Sequence, residues 1–441
     1  MNTKLIKLKL FDFTRFDSRI ASILLFAFYF IKYLAVRSIK GRLEALLTAG
    51  DMFRHTQFRF CRNYAAGILR KTIRKYGEKT VGSFFLSKCE IDSKLITQFR
   101  QSILYSQRPF NKRLIILSPP EKEKKGVLLI KFTIYFVYLS LIFDLNKLFK
   151  NYILVLEPSF CGYFNPAILC LMGHSAPIII QASEKVDYEF IKGLDSNLIP
   201  VDIGANYWVD DRVFFPIDNT DKIYDIIMVS LWADFKRHYH LFQALSKCKN
   251  RDDIRVCLVG MPWPNSLEDI RGLARYYNVD HCIESFENIS QEGVNTLLNK
   301  SKACLLLSRK EGFNKSIIES MYADIPVFLL EGFNYGQHYH YINQQTGSFI
   351  PSSGLSEFIE NVDSTLQNGR FSPNEWISSH ITPERTTTKL VALLVEIEGK
   401  KDIEINKRLE IKVNNPDCDY KFAEVWEKHK HYYRELTSCL K

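Results

Sequence analysis

Glu311 and Glu319 stand eight positions apart in the stretch running from Ser308 to Val327. Between them lies a short polar turn that leads into a helical pattern, and just before them runs an apolar segment. A helix N-terminus offers free N–H groups and the positive end of a dipole, which suits an anion such as phosphate. A carboxylate on the turn and another inside the helix can accept hydrogen bonds from hydroxyls on either side of that phosphate. Phosphate flanked by two hydroxyl-rich groups describes a nucleotide sugar. The positioning elements are legible too. Ala303–Leu307 reads as a buried strand, a helix start follows the turn, and a second strand runs from Pro326 to Leu330.

The residues in register with these carboxylates are Gly312, Phe313 and Asn314 after the first, and Ser320, Met321, Tyr322 and Ala323 after the second, followed by Ile325, Pro326 and Val327. The segment resembles the Glu-x7-Glu signature of retaining glycosyltransferases of the two-domain GT-B fold, close to the family 4 or "group 1" set. By that resemblance Glu311 contacts hydroxyls of the transferred sugar and Glu319 those of the ribose. Gly312 shapes the turn, and Phe313, Asn314, Lys315 and Ser316 present backbone N–H groups to the diphosphate and sugar. Gly260 lets the chain approach the nucleotide. Lys236 matches a family lysine that stabilises the departing diphosphate, as a fixed cation does without reorganising. The chain also departs from the pattern. Asn314 replaces a glycine, at a turn where asparagine tolerates a left-handed backbone. Ser230 stands where the family has an arginine, so Arg237 is the candidate for the missing charge. Gln181 stands where many relatives carry a histidine at a strand end of the first domain.

Around these residues the rhythm is strand then helix. Strands are expected at Val127–Phe132, Tyr152–Leu156, Pro177–Gln181 and Leu198–Val201, and again at Ile223–Val229, Val256–Val259 and Cys282–Phe286. Such alternation argues for parallel sheets with crossover helices, and ligands of such sheets bind beyond the C-terminal strand ends. The expected fold is therefore α/β, two Rossmann-like domains facing a cleft in the GT-B manner, with a helical basic N-terminal extension. The boundaries are 1–110 for the extension, 111–216 for an acceptor-side domain, 217–396 for a nucleotide-sugar-binding domain and 397–441 for a tail ending in an aromatic-rich helix, Tyr420–Leu440.

The net charge of +10 is unevenly spread: residues 1–125 hold 26 Lys and Arg against 9 Asp and Glu, and the remainder 33 against 40. A basic leader with interleaved Leu5, Ile6, Leu8, Leu10, Phe11, Phe13 and Phe16 suits an anionic membrane surface better than nucleic acid, its alternative being a basic face laid over a Rossmann domain. The apolar run from Ile20 to Val36, broken by Lys32, is near the lower limit for a span. No cleavage pattern of a signal peptide follows it. The ten cysteines are scattered without a Cys-x-x-Cys pair, as expected of reduced thiols in the cytoplasm. No Asp-x-Asp stands at a strand end, and the His238/His240, His338/His340 and His429/His431 pairs do not argue for a metal, so neither metal nor cofactor is expected. The chain is thus expected to move a sugar from a nucleotide-sugar donor to a glycan or lipid-linked acceptor on the cytoplasmic face of a membrane. A nucleotide-sugar epimerase of the same fold and a non-catalytic nucleotide-sugar-binding module are the alternatives.

Overall fold

A computed structural model describes residues 2–104, 113–332 and 339–441. The boundary expected at 110–111 and His338 lie outside the described residues. The chain divides into two compact units, Met1–Asp17 with Val209–Thr382, and Ser18–Trp208 with Pro383–Lys441.

The first unit contains a six-stranded sheet in which every pairing is parallel. Its strands are β6 (Tyr224–Val229), β7 (Val256–Gly260), β8 (Ile283–Glu287), β9 (Ser301–Leu306), β10 (Val327–Leu330) and β11 (Gly347–Ile350). The spatial order β11-β10-β9-β6-β7-β8 is that of a Rossmann sheet, growing outward in both directions from β6. The central strands are apolar on both faces because helices cover both sides. Ile226, Met228, Leu258 and Leu305 pack with Leu241 and Phe242 of the helix His238–Leu245, and with Phe328 and Ile359. The sequence reversal of such a sheet falls between β6 and β9, so the loops leaving these two strands flank its ligand crevice. Helix α1 (Asn2–Asp12) and a π-helical turn, Phe13–Asp17, complete this unit. The leader is therefore not one body: its first 17 residues belong with the six-stranded sheet.

The second unit has the order β1-β2-β3-β4-β5. The strands β2 (Gly126–Lys131), β3 (Tyr152–Glu157), β4 (Ile178–Gln181) and β5 (Leu198–Val201) are parallel. Strand β1 (Leu114–Ser118) lies antiparallel on β2, with Leu114 opposite Ile130. The reading from sequence missed it, because its apolar run is short and ends in Pro119-Pro120. Among the described residues of this unit, five helices precede it: α2 (Arg19–Lys40), α3 (Arg42–His55), α4 (Arg59–Tyr76), α5 (Glu78–Ser87) and α6 (Ser93–Leu104). The helix Pro383–Lys401 and the tail join this unit too, so the expected boundary at 396–397 moves to Thr382–Pro383. The terminal helix is shorter than expected, Glu424–Glu435, followed by a 3-10 turn.

Helix α2 starts on Ser18, whose side chain accepts from the Ala21 N–H, and stops at Gly41, whose φ of 88° leaves the helical region. One face packs on α3, burying Ser22, Tyr29 and Tyr33. Ser22 Oγ accepts from the Gln57 N–H at 2.9 Å and the Tyr29 ring stacks on His55. The opposite face leaves Ile20, Ile23, Leu24, Phe28, Ile31 and Leu34 exposed. This is one helix long and apolar enough to cross a membrane by length and composition.

Candidate active site

Two loops build the site. After β6 the chain passes Ser230 and Trp232, makes a 3-10 turn over Asp234–Lys236, and reaches Arg237 with φ 61° and ψ 40° before the helix His238–Leu245. Lys236 thus ends a turn instead of opening a helix, and Arg237 adopts the left-handed conformation that few non-glycine residues take. After β9 the chain runs through Ser308 and Glu311 to the helix Lys315–Tyr322. A backbone bond from the Arg309 N–H to the Phe235 carbonyl, 2.9 Å, ties the two loops together.

Across that tie Lys236 Nζ donates to Glu311 Oε1. The Lys236 side chain is 9% exposed and that of Glu311 15%, so the pair is shielded but not sealed. Asn314 does not take the left-handed conformation expected. It lies at φ −68° and ψ 111° and caps the helix: its Oδ1 accepts from the Ser316 N–H at 3.0 Å and the Ser316 hydroxyl at 2.6 Å. A cap needs a side-chain acceptor, which glycine lacks, so the substitution trades turn freedom for a helix start. The Ser316 N–H is consequently engaged. Gly312 and Phe313 are half-buried and Lys315 is exposed. The Gly312 carbonyl accepts from the Tyr339 hydroxyl at 3.0 Å. Ser308 Oγ and Asn314 Nδ2 are buried with no hydrogen-bond partner. Buried polar atoms are rarely orphaned, and these two stand on the loop that carries Glu311.

Glu319 is half-buried on the same helix, and burial pushes its carboxyl up to about 7 against a smaller opposing pull from Lys315. A carboxyl of this kind gains from hydroxyl donors when ionised. Ser230 is nearly buried and shares a 3.2 Å hydrogen bond with His238 Nε2, whose ring burial and the nearby Lys236 push down to about 3. This neutral pair fills the place where the resemblance puts an arginine.

Three residues serve otherwise than expected. Arg237 is engaged: its guanidinium donates to Asp12 and Asp17 and is 3% exposed. Gly260 is required by the protein itself, since a Cβ there would come within 2.4 Å of the Ser230 carbonyl and 2.7 Å of the Trp232 ring. Gln181, in the other unit, is fully buried. Its Oε1 accepts from Trp208 Nε1 at 3.3 Å and its carbonyl accepts from the Tyr163 hydroxyl, which makes it a residue of that domain's core instead of its surface loop. Sequence reasoning passed over Arg309, which lies 5% exposed beside Glu311; the visible signal was a cation in a strand-end loop.

Residues 210–379 match the family described as Glycosyl transferases group 1. No curated protein matches the chain. Among solved structures, the chain is similar to sucrose-phosphate synthase from Thermosynechococcus elongatus, at 13% identity and a TM-score of 0.50, over 71% of this chain and 81% of that one. It also aligns with the C-terminal domain of a group 1 glycosyl transferase, LpcC, from Francisella tularensis, at 16% identity and a TM-score of 0.34, over 40% and 98% of the two chains. Anabaena HepE in complex with UDP and glucose aligns at 11% identity and a TM-score of 0.48, over 61% and 78%. At such identities the first of these likenesses bears on the fold alone: two α/β domains of the GT-B kind.

Proposed function

We propose that the chain, whose residues 210–379 match the family described as Glycosyl transferases group 1 and whose fold is of the GT-B kind, is a glycosyltransferase that transfers a sugar from a nucleotide-sugar donor to a glycan or lipid-linked acceptor, with retention of configuration and without a metal. One observation carries the donor reading. Between β6 and β9, where a Rossmann sheet takes its ligand, Lys236 meets Glu311, whose loop also carries the orphaned Ser308 Oγ and Asn314 Nδ2.

In this reading the donor's diphosphate lies against Lys236 and the start of the helix Lys315–Tyr322. The ammonium stabilises the charge that develops as the glycosidic bond to phosphate breaks. Glu311 orients Lys236 and accepts from hydroxyls of the sugar, while Glu319 accepts from the ribose. The diphosphate leaves from the face on which the acceptor attacks. Turnover of a nucleoside-diphosphate-sugar panel by the wild type, Glu311→Ala and Glu319→Ala is the test, and undiminished transfer in both variants would reject the assignment. Product formation from donor alone would instead mark an epimerase, and affinity without turnover a binding module.

The same proposal places the protein on the cytoplasmic face of a membrane bearing anionic lipid. Support comes from α2. Its exposed apolar stripe is accompanied by exposed Arg19, Lys32, Arg37 and Lys40, while the face packed on α3 holds the Ser22 and Tyr29 contacts. A helix with one folded protein face and one bare apolar face lies along the interface and does not cross it. Leu24→Asp with Phe28→Asp should lower flotation with anionic vesicles by about ten-fold, and flotation equal to wild type would reject the surface. Trimming residues 1–40 is a poorer test, because it also removes Asp12 from the donor domain.

A further inference from the structure

Asp12 closes helix α1 and is fully buried. Its Oδ1 accepts from Arg309 Nη1. Its Oδ2 accepts from Arg237 Nε at 3.2 Å and from the Tyr239 hydroxyl. Asp17 adds a bond from Arg237 Nη2 at 2.6 Å. The rings of Phe11 and Phe16 lie 5.1 and 5.7 Å from the Arg309 guanidinium. Lys4 Nζ, one end of the same helix, bonds Asn265 Oδ1, and Asn265 in turn bonds Asp234.

These donors come from two different loops. Arg237 directly follows Lys236 on the loop after β6, and Arg309 lies two residues before Glu311 on the loop after β9. Two guanidinium groups this deeply buried repel each other and require a counter-ion. Nothing in the two loops supplies it; the carboxylate arrives from the far N-terminus. It also holds Arg237 in a backbone conformation that a non-glycine residue keeps only when its surroundings insist.

We propose that Asp12 is a positioning residue of the donor site: it staples the loop carrying Lys236 to the loop carrying Glu311, so that the N-terminal segment completes the diphosphate-binding geometry. The inference rests on the donor reading above. The N-terminal segment acts through Arg237 and Arg309, and touches no substrate.

Asp12→Asn keeps the shape and removes the charge. Affinity for UDP, GDP, ADP, CDP and dTDP would be measured by calorimetry, with thermal unfolding alongside. The tightest nucleotide should bind about ten-fold more weakly to D12N, since a misplacement near 1 Å is enough for larger losses. In a Lys236→Met background the same substitution should change affinity by less than about two-fold, because the residue it positions is gone. A general loss of stability would not give that coupling. Should D12N fail to fold, Tyr239→Phe carries the test: it removes one donor, leaves the charges paired, and should weaken binding about two- to five-fold. Affinity unchanged in the variant that folds, or a loss retained in full beside K236M, overturns the inference alone. A wild type that binds none of the five nucleotides overturns the donor reading, and this inference with it.

Discussion

Two places among the described residues, one in each unit, shield a lysine against a carboxylate, and they are built to opposite ends. Lys236 and Glu311 sit on loops, with side chains 9% and 15% exposed. Lys412 and Glu157, in the other unit, are 0% and 5% exposed and 3.0 Å apart. Lys412 also donates to Asn414 Oδ1, and Lys131 pairs with Asp419 at 2.8 Å, so four charges cancel within one buried cluster. Burial pushes the Lys412 ammonium down to about 7, against the pull of Glu157. Glu157 and Lys131 end β3 and β2, whereas Lys412 and Asp419 belong to the tail. This cluster fastens the tail over the strand ends. The first pair keeps part of its surface open to solvent, and the second is sealed.

Removing one member of each pair should separate the two roles. Glu311→Ala is expected to lower kcat by about 10²–10³-fold, with little change in the unfolding midpoint, as read by sugar release from the donor and by thermal unfolding. Lys412→Met is expected to do the reverse. It leaves Glu157 buried without its cation and should cost about 3–5 kcal/mol in denaturant unfolding, with kcat of the folded fraction nearly unchanged. The double variant Lys412→Met with Glu157→Leu should recover most of that loss, since replacing a whole buried pair by apolar groups is often neutral. If Glu311→Ala unfolds the chain and Lys412→Met abolishes transfer, the comparison is inverted.

Acid and base titrations sharpen it further. Unfolded Lys412 holds its proton up to its ordinary value of 10.5, and the folded form only to about 7, so between these limits the unfolded state binds more protons and stability rises with pH. Lys412→Met should remove that slope. Glu319 behaves oppositely. Its folded carboxyl holds a proton to about 7 and the unfolded one to 4.5, so stability falls as pH rises through that window. Glu319→Gln should flatten the fall and exceed the wild type above neutrality by at most about 3 kcal/mol, measured as the unfolding free energy at several pH values. A wild-type curve without either slope would show that both groups titrate as they do in water.

Much of the site could be read along the chain because its parts are neighbours. The apolar strand, the turn with Glu311 and the helix with Glu319 occupy about twenty consecutive residues, and period and turn chemistry report such local order. The sheet order β11-β10-β9-β6-β7-β8, with its reversal between β6 and β9, needed the fold. So did the placement of Gln181, since a strand-end glutamine looks the same whether it faces solvent or, as here, lies under Trp208. The reading of Gly260 located a close approach but not its partner, which is the chain's own Trp232.

The N-terminus marks the division. Composition established that residues 1–125 are strongly basic and that 20–36 are an apolar run near the lower limit for a span. Tertiary structure alone decided that Asp12 meets Arg237 and Arg309, partners 225 and 297 residues away. Hydrophobic period and turn chemistry act between neighbours and so leave a trace in the linear order. A buried charge finds its counter-ion wherever the folded chain brings one, and a string of residues carries no record of that distance.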